Sequence, residues 1–234
     1  MGTLILRLSA PLQSWGVDSK FDQRSSGTEP SKSGIIGMIA AAMGRSREDP
    51  IDDLVKLRMG VRLDQPGNIV EDYHTARNPN KKTDVYVTRR NYLSDAVFVV
   101  GLEGKKDLLE SVQSAIESPV YPLFLGRRSC PPTGKIVVGI NEACLEESLT
   151  SVEWQASNWY RRRNGPEVYL EMVIEGDTGY IVNDNPISFS QKHRMFGPRI
   201  VSRNLHGVKV INTESRKISE RSTNHDAFSS VRGD

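Results

Sequence analysis

Apolar and polar positions change period several times along the chain. Leu4, Leu6 and Leu8 alternate with Thr3, Ile5, Arg7 and Ser9, which predicts a half-buried opening strand. A turn-forming segment at 11–16 and a polar stretch up to Pro30 follow. The period then becomes helical. Ile35, Ile39 and Met43 share one face, Ser31 stands at the cap position, and Gly44 marks the end. Gly34, Gly37 and Ala41 give this helix a smooth side that another group can approach closely. Residues 50–58 read as a short helix and 59–63 as a strand. Extended segments at 70–75 and 85–88 flank the turn-rich 78–82, so a hairpin projects here from the body. Residues 92–102 read as one apolar strand. It leads through Gly104 into a helix at 105–116, with Leu108, Val112 and Ile116 in register. Beyond Pro119 the regularity weakens. Val168, Leu170, Met172 and Ile174 still alternate with their neighbours, and Gly176-Asp177-Thr178-Gly179 is expected to turn the chain back.

Strand, helix, strand, then strand and helix, with a hairpin inserted between the halves, is the order of a ferredoxin-like βαββαβ domain. The expected fold class is therefore α+β, with a ferredoxin-like palm over 1–118. It carries an inserted β-hairpin thumb at about 76–91. A smaller β-rich C-terminal part with basic loops covers 119–213, and a polar, poorly patterned tail covers 214–234. A length of 234 residues suits one large domain or two small ones. With 37% hydrophobic and 26% charged residues, a mostly disordered chain and an integral membrane protein are both excluded. The longest strongly apolar stretch, 35–43, is too short for a bilayer. No basic leader or small-residue cleavage site is seen near the start, where Arg7 interrupts the apolar run. A signal peptide is not expected, and a cytoplasmic location is. Cys130 and Cys144 form no CxxC pair, so two reduced thiols are expected, with no structural zinc, no disulfide framework and no cofactor.

The net charge of +2, from 31 Lys and Arg against 29 Asp and Glu, argues weakly against a nucleic-acid ligand. Its distribution argues the other way. Residues 188–221 carry eight cations and two acids, net +6, while 72–92 carry five cations and two acids, net +3. Residues 142–153 hold four glutamates and no Lys or Arg. Spaced arginines among Gly, Ser, His and Phe suit a polyphosphate, because each can bond phosphate oxygens through two N–H groups and release counterions. The competing reading, that these runs are merely solvated faces, weighs about equally.

Few motifs carry chemistry. Gly126-Arg127-Arg128-Ser129-Cys130-Pro131-Pro132 sets two arginines and a hydroxyl in a loop whose backbone is stiffened or bent at both ends. Gly134-Lys135 resembles the end of a phosphate-binding loop. Gly126 is wrongly spaced, however, and Ile136 replaces the needed Ser or Thr, so nucleotide hydrolysis is rejected. Ser31-Lys32-Ser33-Gly34 offers N–H groups, hydroxyls and an amine to a phosphate, although alone it reads as an ordinary cap. His74, His193, His206 and His225 lack metal-binding spacing. His74 or His193 offers a general acid–base group for RNA cleavage, a role ranked well below binding. Tyr73, Tyr92, Trp15, Trp154 and Trp159 are candidates for stacking on bases. For Trp154 and Trp159 core packing is the better reading, while Trp15 beside Gly16 stays open.

Several blocks in order resemble the CasD family, the type I-E branch of the fifth family of CRISPR-associated proteins. They are Pro11-Leu12-Gln13-Ser14-Trp15-Gly16, Ser31-Lys32-Ser33-Gly34-Ile35-Ile36-Gly37, Asp72-Tyr73-His74-Thr75, Arg90-Asn91-Tyr92-Leu93-Ser94-Asp95-Ala96, and Leu123-Phe124-Leu125-Gly126-Arg127-Arg128-Ser129-Cys130-Pro131. The basic C-terminal region joins them, and the likeness runs from about residue 4 to residue 210. The resemblance implies a palm with a hairpin thumb and a non-catalytic subunit of the Cascade surveillance complex that grips the 5′ handle of CRISPR RNA. It also implies contacts with a CasC-type backbone subunit and a CasA-type large subunit, and an indirect relation to target DNA. Relatives in type I-C systems cleave the RNA themselves, so a metal-independent endoribonuclease is the alternative.

The handle-gripping candidates are Ser14, Trp15, Lys32, Ser33, Arg127, Arg128, Ser129, Lys192, His193, Arg194, Arg199 and Arg203, with Arg77, Arg89 and Arg90 on the thumb. The strand at 96–102 is nearly all aliphatic and reads as core. RNA is therefore expected on loops, a helix start and the thumb, and not across the sheet face.

Overall fold

The structure is a computed structural model that describes residues 1–16, 23–78 and 81–215. The chain opens with β1 (Gly2–Ser9), β2 (Leu12–Gln13) and β3 (Gln23–Arg24), followed by α1 (Lys32–Ala42) and α2 (Asp52–Val55). Next come β4 (Arg58–Gln65), the paired β5 (Asn68–Asn78) and β6 (Lys81–Ser94), then β7 (Val97–Gly104) and α3 (Lys106–Glu117). The remainder is β8 (Val137–Asn141), α4 (Leu145–Ser151), α5 (Asn158–Arg161), β9 (Glu167–Ser188) and β10 (Met195–Ile211). The main sheet has six strands in the order β10-β9-β4-β7-β1-β8, and its pairings are antiparallel.

Both faces of this sheet are covered. On one, Leu4, Leu6, Leu8, Phe98 and Val100 pack with Ile35, Ile36 and Ile39 of α1 and with Leu109 and Val112 of α3. On the other, Leu145 and Leu149 of α4 lie on Ile5, Val99 and Met172. Each such leucine contributes roughly 1.5–3 kcal/mol on full burial. The opening strand is thus not half-buried as its alternation predicts. Thr3 and Ile5 are as buried as the leucines, because α4, distant in sequence, closes the second face.

The helix at Ser31 forms as expected. The Ser31 side chain accepts from Gly34 N–H at 3.3 Å, and Gly44 follows the C-cap at φ +75°. The expected single strand at 92–102 is instead two strands in two sheets. Asp95, at φ 56°, breaks it. Before the break, β6 pairs with β5, β2 and β3 in a separate arm. After it, β7 enters the main sheet. Two glutamines pin this root. Gln13 Nε2 donates to Ala96 O at 2.8 Å, and Gln65 Nε2 donates to Asp95 O at 2.5 Å.

The chain after residue 118 continues the main sheet, since β8 pairs with β1 and β9 pairs with β4. Residues 176–179 do not turn it back. β9 runs through them to Ser188, and the register against β10 slips from Val201↔Glu175 to Ile200↔Ile181, so the intervening residues bulge. Of the expected polar tail, 216–234 lies outside the described residues.

Candidate nucleic-acid interface

The 125–130 loop is built against the root of the arm. Ser14 N–H donates to Leu125 O at 3.1 Å, while Leu125 N–H to Cys130 O and Cys130 N–H to Arg127 O close the turn. Gly126 sits at φ +88°, and a Cβ there would lie 1.6 Å from Ser14 O, so only glycine fits. This turn leaves Arg127 half-buried and sets Arg128 and Ser129 outward. Arg127 Nη1 donates to Asn91 O at 3.1 Å, and its guanidinium carbon stands 4.7 Å from the centre of the Tyr92 ring. The Tyr92 hydroxyl reaches Ser129 Oγ at 3.3 Å. Burial pushes the Tyr92 phenol up, but the Ser129 and Arg127 contacts and the Arg127 charge outweigh it, so it lies below the usual tyrosine value. Tyr92 is itself buried and aligns Arg127 instead of meeting a base. Arg89 and Arg90 lie on the same stretch of β6, opposite β3, and Arg90 Nε is buried with no hydrogen-bond partner. The structure therefore gathers Arg90, Arg127 and Ser129 around Tyr92 from two distant segments, with Arg128 outward on the same loop, while Arg89, on the other face of β6, lies 3.9 Å from Glu71.

Other candidates are used by the fold. Trp15 is 1% exposed, its indole N–H donates to Gln13 Oε1, and a Cβ on Gly34 would come within 2.9 Å of its ring. It locks α1 to the arm root and has no face open to a base. Ser14 is buried beneath the 125–130 loop. Ser33 is half-buried, with its hydroxyl 3.4 Å from that of Ser31. The Lys32 side chain is 3% exposed and its ammonium lies 2.8 Å from Glu175 Oε1. The Lys32 N–H goes to Asp184 at 2.7 Å, so the helix start already holds a carboxylate. Arg199 is buried on that same Asp184, and Arg203 is shared between Glu29 and Glu171. Burial works against the Arg203 charge, but bonds to Tyr180 and Glu171 and the Glu29 charge raise its pKa. These three cations are neutralised from within. Lys192, His193 and Arg194 are exposed on the loop after β9, with Arg194 over Phe196 at 5.1 Å, and Arg77 is exposed on β5.

The histidines stay apart. His74 is paired with Asp72 on the arm and His193 is exposed, and among the described residues no hydrogen bond or ion pair joins them. Among the described residues no three His, Cys, Asp or Glu side chains converge as a metal site requires. Trp154 is buried as expected, but Trp159 is not; it is 46% exposed beside Arg161, Arg162 and Arg163. The expectation of core packing missed this patch, although Trp159-Tyr160-Arg161-Arg162-Arg163 stands plainly in the sequence.

Residues 3–202 match the family described as "CRISPR-associated protein (Cas_Cas5)", over most of the chain. The chain belongs to this Cas5 family. It is similar to the CRISPR system Cascade subunit CasD of Escherichia coli (strain K12), at 31% identity over 160 residues, covering 60% of this chain and 71% of that one. It is also similar to a solved structure titled as a Cas protein, at 36% identity and a TM-score of 0.70, covering 91% of this chain and 97% of that one. A chain of a structure titled "CRISPR RNA-guided surveillance complex" matches at 31% identity and a TM-score of 0.76, covering 94% of this chain and 95% of that one. The arm, the 125–130 loop and Trp159 all fall inside the stretch matched to the Cas5 family.

Proposed function

We propose that this Cas5 chain is a structural, RNA-holding subunit of a type I-E Cascade complex and grips the 5′ handle of CRISPR RNA without cleaving it. The observation that carries this reading is the arm root. There Arg127 is aligned by Tyr92 and Asn91 beside Arg128 and Ser129, and Arg90 of β6 reaches the same tyrosine. Guanidinium groups held in fixed directions on a loop suit the phosphates and splayed bases of a single-stranded handle. Arg194, Lys192 and His193 extend the cationic surface. Lys32, Arg199 and Arg203 shape it only by holding α1 and β10 in place.

In this reading β1-α1-β4-β7-α3-β8 is a ferredoxin-like palm, supported by its strand order β4-β7-β1-β8, and the β5–β6 arm is the thumb. The relatives named above support membership of a multisubunit complex. We assign the neighbours as a CasC-type backbone subunit and a CasA-type large subunit, with target DNA reached through the assembled particle. Purifying the chain within its native complex and sequencing the bound RNA tests the proposal. One RNA class with a constant 5′ segment is expected, and its retention should depend on this chain. Equal retention without the chain would leave it a protein–protein adaptor.

The second reading, a metal-independent endoribonuclease, draws on the His74–Asp72 pair, since a carboxylate can orient an imidazole for proton transfer. Labelled repeat RNA incubated with the pure protein and chelator separates the two. A discrete product lost in His74→Ala or His193→Ala would establish cleavage.

A further inference from the structure

We propose that α5 and the turn after it form a second nucleic-acid contact, where a single-stranded segment lays a base against Trp159 and its phosphates along Arg161 and Arg163. This surface is separate from the 125–130 loop and goes beyond the handle grip. Trp15 and Trp154 are 1% and 3% exposed, whereas Trp159 is 46% exposed. It is held firmly all the same. Trp159 stands edge-on to Tyr160 at 5.6 Å, and Tyr160 stands edge-on to buried Trp154 at 5.9 Å. That stack continues into the cluster of Trp154, Ala156, Leu170 and Val210. A rigid aromatic left facing water is a stacking platform, which any base can use because every base has a π-face.

The cations around it differ from the arginines that the fold neutralises. Arg45, Arg58, Arg62, Arg199 and Arg203 each have a carboxylate within hydrogen-bonding distance. Among the described residues Arg161 and Arg163 form no ion pair. The Arg163 guanidinium lies 5.2 Å from the centre of the Trp159 ring. Arg161 Nη2 donates to Thr213 Oγ1 at 2.9 Å, and its Nε is buried without a partner. Arg162 approaches Glu214 only to 3.9 Å. Glu167, at the start of β9, is paired with Lys209 at 2.8 Å. The Asn212 amide bonds the carbonyls of Arg161, Asn164 and Gly165, fixing the turn from which the arginines project. Fixed, uncompensated guanidinium groups beside an anchored indole are the combination that single-stranded nucleic acid uses.

The patch also adjoins the arm. Ser157, which caps α5, donates from both N–H and Oγ to Gln65 Oε1, and the same Gln65 holds Asp95 O. A strand leaving the arm root on this side would meet α5 next.

Trp159 is the exposed tryptophan among three, so a stacking base can quench it directly, and Trp159→Phe isolates its share of the intrinsic fluorescence. The full chain is titrated with a 12-residue oligouridylate and, in a parallel arm, with oligothymidylate, which separates an RNA source from a DNA source. Saturable quenching is expected, and Trp159→Phe should abolish it. Arg161→Gln with Arg163→Gln should weaken binding about tenfold and lower the log–log salt slope by about 1.4. No quenching of the wild type, quenching that persists in Trp159→Phe, or unchanged binding by the arginine variant would each overturn the proposal. Unchanged oligonucleotide affinity with loss of co-purifying subunits would overturn it in favour of a protein interface. Arg127→Ala with Arg128→Ala is measured alongside. Intact binding in that variant counts against the handle grip and leaves the Trp159 quenching standing, so the two failures are distinguishable.

Discussion

The Arg127 guanidinium lies over the ring of Tyr92, 4.7 Å from its centre, while the Tyr92 hydroxyl reaches Ser129. One buried tyrosine thus fixes both the cation and the hydroxyl of the loop. The charge also acts back on the phenol. Burial alone would raise its pKa, but Ser129 and Arg127 bring it below the usual value. An acid with a lowered folded pKa stabilises the fold only where it ionises. The gain is complete above the ordinary tyrosine value of about 10 and is lost as pH falls through the lowered value. Ultraviolet titration should therefore show Tyr92 ionising below the usual tyrosine value, and Tyr92→Phe should remove that phase. If the early phase survives in Tyr92→Phe, Arg127 is not seated on this ring.

Gly126→Ala should destabilise the protein by more than about 2 kcal/mol, because the position combines a left-handed backbone with contact to another backbone. A Cβ would lie 1.6 Å from Ser14 O, a group that cannot swing away as a side chain tip could. Urea denaturation measures the loss, and RNA affinity should fall with it because Arg127 and Arg128 lose their frame.

Arg62 and Asp64 have side chains fully removed from solvent and bond through two atoms each. The Arg62 guanidinium also bonds the carbonyls of Leu149, Val152 and Glu153, and Asp64 takes the Gln155 N–H, so the pair ties α4 and the following loop to β4. Asp64→Asn leaves a buried cation short of its counter-charge and should cost about 3–5 kcal/mol in the same assay. A loss below 1 kcal/mol would show that the carbonyls alone sustain Arg62.

The elements best legible in the sequence were those fixed locally. Ser31 and Gly44 bracket α1, and Leu108, Val112 and Ile116 announce α3, because caps and helical period need no distant partner. What distant segments decide was not legible. The alternation of β1 predicts one wet face, yet α4 arrives from far along the chain to cover it. The break at Asp95 is hidden in a continuous apolar run because both halves are buried, in different sheets. For the candidate interface, charge density in sequence could not separate Arg128, which faces outward, from Lys32, Arg199 and Arg203. Their acidic partners Glu175, Asp184, Glu171 and Glu29 become neighbours only in the fold. The role of Trp15, open in the sequence, depends on Gly34, against which its ring packs only once the chain folds.

Arg203→Gln provides a contrast with the interface arginines. It strands Glu29 and Glu171, so it should lower stability by about 1–3 kcal/mol while leaving the salt slope of RNA binding unchanged. A smaller slope at full stability would return Arg203 to the RNA-contacting set.

The central claim is that the 125–130 loop at the arm root holds RNA phosphates. Its most direct test is the affinity of the full chain for a single-stranded handle RNA, measured by fluorescence anisotropy over a range of salt concentrations. Compared with wild type, Arg127→Ala with Arg128→Ala should bind about tenfold more weakly, with the slope of log affinity against log salt smaller by about 1.4. A folded double variant with wild-type affinity and wild-type slope would contradict the account.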